Sequence, residues 1–284
     1  DIISIILSVL GFGGLLYGTS SISHDGWNDP IVLTTIIGGV ILVALFIWRQ
    51  SKLETPLLNF GVFKNTQFAI GILIMAVTMV SMIGSETVLP MFVQNLLNRT
   101  PLDSGLILLP GAIVMAIMSF TSGGLYEKFG AKPLALIGMM IVIITTGYFV
   151  IMDENTSSVM LATVYGIRMI GIALGLMPVM THTMNQLTYE MNAHGSSMTN
   201  TVQQIAGSIG TAILITILTQ ASKHYSPNMS DYDGMKRSEM LGQIKIDTLL
   251  HGYHAGFLFA VLITVVSFLC SFMLKKNTKS TDEQ

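Results

Sequence analysis

Glu86 is the residue whose type and place most directly imply chemistry. It falls inside a long apolar stretch, about two helical turns from its far end. A carboxyl group at that depth costs roughly 2.5–3.5 kcal/mol on insertion scales, so it normally faces a cavity or a partner. Met75, Met79, Met82 and Glu86 are separated by steps of four, three and four, which puts them on one helix face. Methionine side chains adapt to ligands of varied shape. An acid at the end of a methionine stripe suits a lipophilic cation, or a proton exchanged for one. The competing reading is that Glu86 reaches the outer interface and is hydrated there. With 20 methionines in the chain, stripes also arise by chance.

Arg168 is the second charge inside an apolar stretch, about three turns in, within Tyr165-Gly166-Ile167-Arg168-Met169-Ile170-Gly171. It can pair with an acid, bind backbone carbonyls, relay a gating change, or simply brace a neighbouring helix. Nothing in the sequence pairs it with Glu86, because the relative depth of the two helices is not legible. A polar mouth forms a third candidate. Thr181, His182, Asn185 and Gln186 end one apolar stretch, while Asn200, Gln203, Gln204, Gly207 and Thr211 begin the next. Small and polar residues on one face serve close helix packing as well as a wet lining.

Other chemistries lack their residues. His182 and His194 stand apart from any acid or cysteine set with ligand spacing, so no metal site is expected. Cys270 is the sole cysteine, which excludes an intramolecular disulfide. There is no glycine-rich phosphate loop, no paired carboxylates in one segment and no nucleophile elbow. The chain reads as a non-enzyme that needs no cofactor. The missing phosphate loop argues against ATP-driven transport by this chain alone.

The elements that must position these residues are apolar helices. Hydrophobic residues make up 51% of the 284 and charged residues 11%, against a usual ~25%. The mean hydropathy is +0.66. A soluble chain needs more charge to cover its surface. The net charge of −2 gives no reason to expect nucleic acid. About 20 apolar residues cross a bilayer, and eight stretches qualify, roughly 2–22, 31–48, 66–94, 103–123, 133–152, 158–182, 200–222 and 251–274. No segment alternates like a barrel strand. The fold class is therefore all-α membrane protein with about eight transmembrane helices. Pro110 and Pro178 fall inside spans, where each removes a backbone hydrogen bond and favours a kink.

A polar joint at 51–65 divides two helices (1–50) from a six-helix bundle (66–275), with a tail at 276–284. Leu57 to Lys64 reads as an amphipathic segment on the inner surface. The chain begins at Asp1 and runs directly into Ile2-Ile3 with no basic n-region, so the first stretch reads as a membrane helix of a truncated chain rather than a signal peptide. Arg49, Lys52, Lys64, Lys128, Lys132, Lys275, Lys276 and Lys279 fall on one set of alternate loops. The positive-inside rule makes that side cytoplasmic, with the C-terminus there. The 223–250 stretch, expected as a long outer loop, mixes Lys223, Lys236, Arg237 and Lys245 with four acids.

After the fourth stretch comes Gly123-Gly124-Leu125-Tyr126-Glu127-Lys128-Phe129-Gly130-Ala131-Lys132. This resembles the G-x-L-a-D-R/K-x-G-R/K-R/K loop of the major facilitator superfamily at Gly123, Leu125, Lys128, Gly130 and Lys132. Glu127 replaces the family's Asp and Ala131 a basic residue. The resemblance implies a cytoplasmic gate loop that clamps neighbouring helices. Further stretches resemble the fourteen-span drug:proton antiporters of the EmrB/QacA type: Gly26-Trp27, Glu54-Thr55-Pro56-Leu57-Leu58, Leu89-Pro90-Met91-Phe92-Val93-Gln94, Ser104-Gly105-Leu106-Ile107-Leu108-Leu109-Pro110-Gly111, His194-Gly195-Ser196-Ser197 and Gln203-Gln204-Ile205-Ala206-Gly207-Ser208-Ile209-Gly210-Thr211-Ala212. That resemblance implies the later portion of a plasma-membrane transporter whose missing N-terminal six-helix half is its partner. It also implies export of small-molecule drugs, lipophilic or cationic, driven by the proton gradient through alternating access. On residues alone, a passive channel or a non-transporting membrane sensor stays open.

Overall fold

The bilayer supplies no hydrogen-bond partners, so a spanning segment must satisfy its own backbone, and a helix does so within one element. The computed structural model follows this rule. It describes residues 2–53, 59–227, 232, 234 and 236–275, apart from the side chains of Ser23 and His24. Among the described residues there are eight long helices and no strand. The helices are α1 (Ile2–Asp25), α2 (Pro30–Gln50), α3 (Thr66–Asn95), α4 (Pro101–Phe129), α5 (Ala131–Val150), α6 (Ser158–Met184), α7 (Tyr189–His224) and α8 (Arg237–Ser271). All eight are long and apolar enough to cross a membrane. The chain is a multi-pass membrane protein.

The helix starts follow the local sequence. Asp29 caps α2 by accepting from the amides of Ile31 and Val32, and Pro30 follows at the first helical position, where its missing amide costs nothing. Thr100 and Asp103 form a reciprocal capping box ahead of α4. Asn65 caps α3 through Oδ1 while its Nδ2 donates to the carbonyl of Gln186 at 2.9 Å. One side chain therefore fixes the start of α3 against the end of α6.

Two expected boundaries move. α7 begins about eleven residues before the apolar run, and α8 about fourteen before it. Most of the expected 223–250 outer loop is thus helix. Hydropathy detects only the part of a helix inside hydrocarbon, while polar residues continue the same helix into water. Pro90, a third proline inside a span, lies within α3. Part of the joint is a short 3-10 helix, Phe60–Lys64, whose Val62 is buried against the bundle core. Glu54–Leu58, most of 228–235 and the 276–284 tail fall outside the described residues, so the joint's Pro56 and the tail lysines Lys276 and Lys279 carry no structural statement.

α3 is the central element. It packs on α6, α7 and α8, while α5 lies against α6 and α8, and α4 against α6. Gly138 of α5 sits so close to α6 that a β-carbon on it would stand 2.5 Å from the carbonyl oxygen of Gly171. α1 and α2 form a hairpin that joins the bundle through α1 and α7. Two links fix this contact: the Thr19 and Ser208 hydroxyls at 2.6 Å, and Trp27 Nε1 donating to the Thr216 hydroxyl at 2.9 Å.

The core has two apolar halves with a polar layer between them. One half, toward the Asn95 end, gathers Phe92, Phe149, Tyr253 and Phe257. The other, toward the Thr66 end, gathers Phe68, Met75, Met79 and Leu176. Between them the Thr78 and Ser267 hydroxyls share a 2.8 Å hydrogen bond and those of Ser81 and Thr264 a 2.7 Å bond. These pairs join α3 to α8 at a depth where an unpaired hydroxyl is costly.

Candidate functional site

Arg168 occupies that polar layer. It is the largest fully buried side chain among the described residues, at 0% exposure. Its Nε donates to the Thr146 hydroxyl on α5 at 3.2 Å and its Nη2 to the Ser81 carbonyl on α3 at 3.4 Å. Nη1 is buried with no hydrogen-bond partner. Glu86, about one and a half turns beyond Ser81 on α3, lies close enough for its charge to act on Arg168 and on the Tyr165 hydroxyl. Glu86 is half-buried. Among the described residues its carboxylate accepts no hydrogen bond. The structure thus sets the two intramembrane charges within electrostatic reach of each other, a relationship that sequence alone could not establish, although among the described residues no ion pair joins them. Helix register within each span was readable; the depth of α3 against α6 depends on tertiary packing and was not.

The two groups form an unsaturated site. A buried guanidinium retains an unused donor, and a half-buried carboxylate has unused acceptor capacity. Buried charge is tolerated where an opposite charge and hydrogen bonds offset desolvation. Here the offset is incomplete, so hydrogen-bonding capacity is left over on both groups. Tyr165 frames the site from α6, and its ring closes over Gly111 of α4.

The methionine stripe divides. Met75 and Met79 are buried in the apolar core at the Thr66 end, so they serve as packing in this conformation. Met82 is half-buried and touches both core halves, next to Glu86. Gln203 on α7 donates through Nε2 to the Met75 sulfur at 3.3 Å, which ties one polar candidate to the stripe. Gln204 and Asn200 are on the exposed side of α7 and are not brought to Glu86. His182 is buried, and Asn185 donates to the Tyr126 hydroxyl at 3.3 Å, so this part of the expected mouth is helix packing between α4 and α6.

The expected gate loop is almost wholly helix. Gly123, Leu125, Glu127 and Lys128 belong to the last two turns of α4, and Gly130 alone separates α4 from α5. Gly130 has φ +79°, where an L side chain is strained, and its amide closes the helix on the Tyr126 carbonyl at 2.8 Å. The loop pattern fixes a tight turn, and a one-residue turn is all that its glycine needs. Gly123, Glu127 and Lys128 are exposed, Leu125 half-buried. Lys128 lies 5.4 Å above the Phe129 ring. The clamp onto a neighbouring helix comes from Lys132, whose Nζ donates to the Phe272 carbonyl at the end of α8 at 2.6 Å. A cation at a helix C-terminus answers the dipole and an orphan carbonyl together. Among the described residues no group of three or more metal-ligating side chains forms.

Comparisons with known proteins agree with this architecture. A family profile described as the Major Facilitator Superfamily matches residues 2–211. The MFS-type transporter YcnB of Bacillus subtilis is 38% identical over 284 residues, 100% of this chain and 57% of that protein. The lincomycin resistance protein LmrB of Listeria monocytogenes is 33% identical over 276 residues, 97% of this chain and 57% of its own length. A multidrug resistance protein B homolog of Mycobacterium tuberculosis is 27% identical over 230 residues, 79% of this chain and 42% of that one. The chain spans a little over half the length of the first two.

Proposed function

Given that this chain belongs to the Major Facilitator Superfamily, we propose that it forms the later part of a secondary transporter that exports drugs across the plasma membrane in exchange for protons. In this reading α1 and α2 are additional helices, α3 to α8 the second six-helix half, and a further six-helix half completes the cavity. Substrate binds near the midplane and access alternates by rocking of the halves. The relatives named for lincomycin and multidrug resistance support a drug as cargo.

The observation that carries the proposal is that half-buried Glu86 lies within electrostatic reach of fully buried Arg168, each with hydrogen-bonding capacity unspent. A proton or a lipophilic cation neutralises Glu86, and either relieves the same charge, so the two compete for one group. Competition for one carboxylate is sufficient for exchange. Arg168 offers that carboxylate a counter-charge until one of them arrives. Orientation follows from the lysines, with the Gly130 turn and the Lys132 clamp on the cytoplasmic side.

The test is Glu86→Gln in the full transporter, reconstituted in proteoliposomes. Tetraphenylphosphonium movement driven by an imposed pH gradient is expected to fall at least tenfold, and gradient-free counterflow of the same cation to fall with it, because both use the Glu86 carboxylate. Undiminished gradient-driven transport at equal membrane abundance rejects the assignment.

A further inference from the structure

A second recess lies between α1, α3 and α7. It holds about 540 Å³, within the roughly 300–1,000 Å³ usual for small-molecule sites. Its polar lining comes from all three helices: Tyr17, Ser20 and Ser21 on α1, Thr87 on α3, Gln204 and Thr211 on α7. Leu16, Ile83 and Ile215 supply the apolar wall. No charged residue lines it. Thr87 lines this recess, while the charge of its neighbour Glu86 acts on Arg168 of α6, so the two sites share α3.

The hydroxyls here are not consumed by packing. Thr87 and Thr211 donate within their own helices to Ile83 and Gly207 and keep their acceptor lone pairs. Among the described residues, the Tyr17, Ser20 and Ser21 hydroxyls and the Gln204 amide make no hydrogen bond. Meanwhile Thr19 and Ser208, at the border, are spent on holding α1 to α7. Groups with spare hydrogen-bonding capacity therefore face the recess, toward the Asp25 end of α1 and the Asn95 end of α3.

We propose that the α1–α3–α7 recess, built from hydroxyl and amide groups with spare hydrogen-bonding capacity around an uncharged pocket, binds neutral drug-sized solutes carrying several hydroxyl or amide groups. The first helix then contributes directly to substrate choice. This rests on the transport reading above, and it deepens it: cations are recognised at Glu86, uncharged hydrogen-bonding solutes at the recess.

The probes are chloramphenicol, which is neutral and carries two hydroxyls and an amide, and tetraphenylphosphonium. Equilibrium binding of each is measured on the full transporter in nanodiscs. Tyr17→Phe/Ser20→Ala/Ser21→Ala is expected to weaken chloramphenicol binding about tenfold or more, at about one hydrogen bond per 1 kcal/mol, and to leave the cation within twofold. Glu86→Gln gives the reverse pattern. As a test independent of that variant's folding, a cysteine is placed at Ser20 on a Cys270→Ser background. Chloramphenicol is expected to slow its maleimide labelling, and the cation is not. Absent chloramphenicol binding, equal loss of both probes, or labelling that chloramphenicol does not slow overturns the recess, since water or lipid is then its occupant. Chloramphenicol protection without any cation binding at Glu86 leaves the recess standing and removes the Glu86 assignment instead.

Discussion

Arg168 Nη2 donates to the backbone carbonyl of Ser81 at 3.4 Å, so a wholly buried cation of α6 is held by the main chain of α3. The same Ser81 carbonyl accepts from the Ser85 hydroxyl at 2.7 Å, and the Ser81 hydroxyl bonds to Thr264 of α8. Three helices therefore meet at one residue of α3, with α5 added through Thr146. A group placed this way is both scaffold and charge. Any step that changes the charge at Glu86 acts on a node to which four helices are tied.

Separating the two roles is the first prediction. Arg168→Gln removes the cation and leaves the Glu86 charge uncompensated. The expected destabilisation is about 1–3 kcal/mol, from the lost hydrogen bonds to Thr146 and Ser81 and the lost counter-charge to a half-buried Glu86. Arg168→Gln/Glu86→Gln is expected to recover a substantial part of that loss, since neither charge then remains. Chemical unfolding of the purified transporter in detergent measures both. A double variant as unstable as the single one shows that packing, not charge, is what Arg168 supplies.

The second prediction concerns glycines that look alike in sequence. Gly138→Ala puts a β-carbon 2.5 Å from the Gly171 carbonyl oxygen and the Gly175 amide nitrogen, backbone atoms that cannot step aside. The α5–α6 contact must open, at a cost of about 1–3 kcal/mol. Gly123→Ala meets nothing within 4 Å in a helical position, so stability is expected to hold or rise by about 0.5–1 kcal/mol. Melting of the two variants against the parent decides. A Gly123→Ala protein that melts normally and transports slowly places Gly123 at a surface that closes during the transport cycle.

Much of this fold was legible in sequence because the bilayer restricts the choices. All eight spans follow from apolar length, and the joints between them from their turn and breaker residues. What sequence could not supply was relative depth. Glu86 and Arg168 were each identified as intramembrane charges, but nothing local says that α3 and α6 pack in a register that brings them together. The methionine stripe shows the same limit from the other side. Its four-three-four spacing is real, yet Met75 and Met79 are buried in the apolar core at the Thr66 end, while Glu86, farther along the same face, reaches the electrostatic neighbourhood of Arg168. The α1 recess had no sequence signal, since its hydroxyls come from helices far apart in the chain.

The third prediction follows from the clamp. Lys132 Nζ reaches the Phe272 carbonyl at the α8 terminus. Lys132→Gln retains a donor and loses the charge, and Lys132→Met loses both. Charge at a helix end contributes about 0.3–1 kcal/mol. Stability is therefore expected to be highest in the parent, lower in Lys132→Gln and lowest in Lys132→Met, with no step above about 1 kcal/mol. If the clamp also breaks during alternation, both substitutions change turnover more than substrate affinity. Transport kinetics in proteoliposomes separate the two, and an affinity loss that matches the rate loss argues for a folding defect alone.

The last prediction tests the place of α1, on which the recess depends. The Thr19 and Ser208 hydroxyl oxygens stand 2.6 Å apart. That approach brings the two β-carbons near the 3.5–4.5 Å range, about 3.8 Å on average, that a disulfide requires. Thr19→Cys/Ser208→Cys on a Cys270→Ser background is expected to cross-link efficiently under mild oxidation, detected by mobility after cleavage at a protease site inserted after α2. Control pairs one residue along, Ser20→Cys/Ser208→Cys, point about 100° away on α1 and are expected to react slowly. Because α1 meets the bundle through α7, a bond at this site also locks the wall of the recess. Uncharged solutes then lose access while cation transport continues, if α1 moves to admit them; full access with the bond in place shows that the wall is rigid and the recess opens elsewhere. Failure of the Thr19–Ser208 pair to cross-link, with the control pair reacting instead, means that α1 packs in another register.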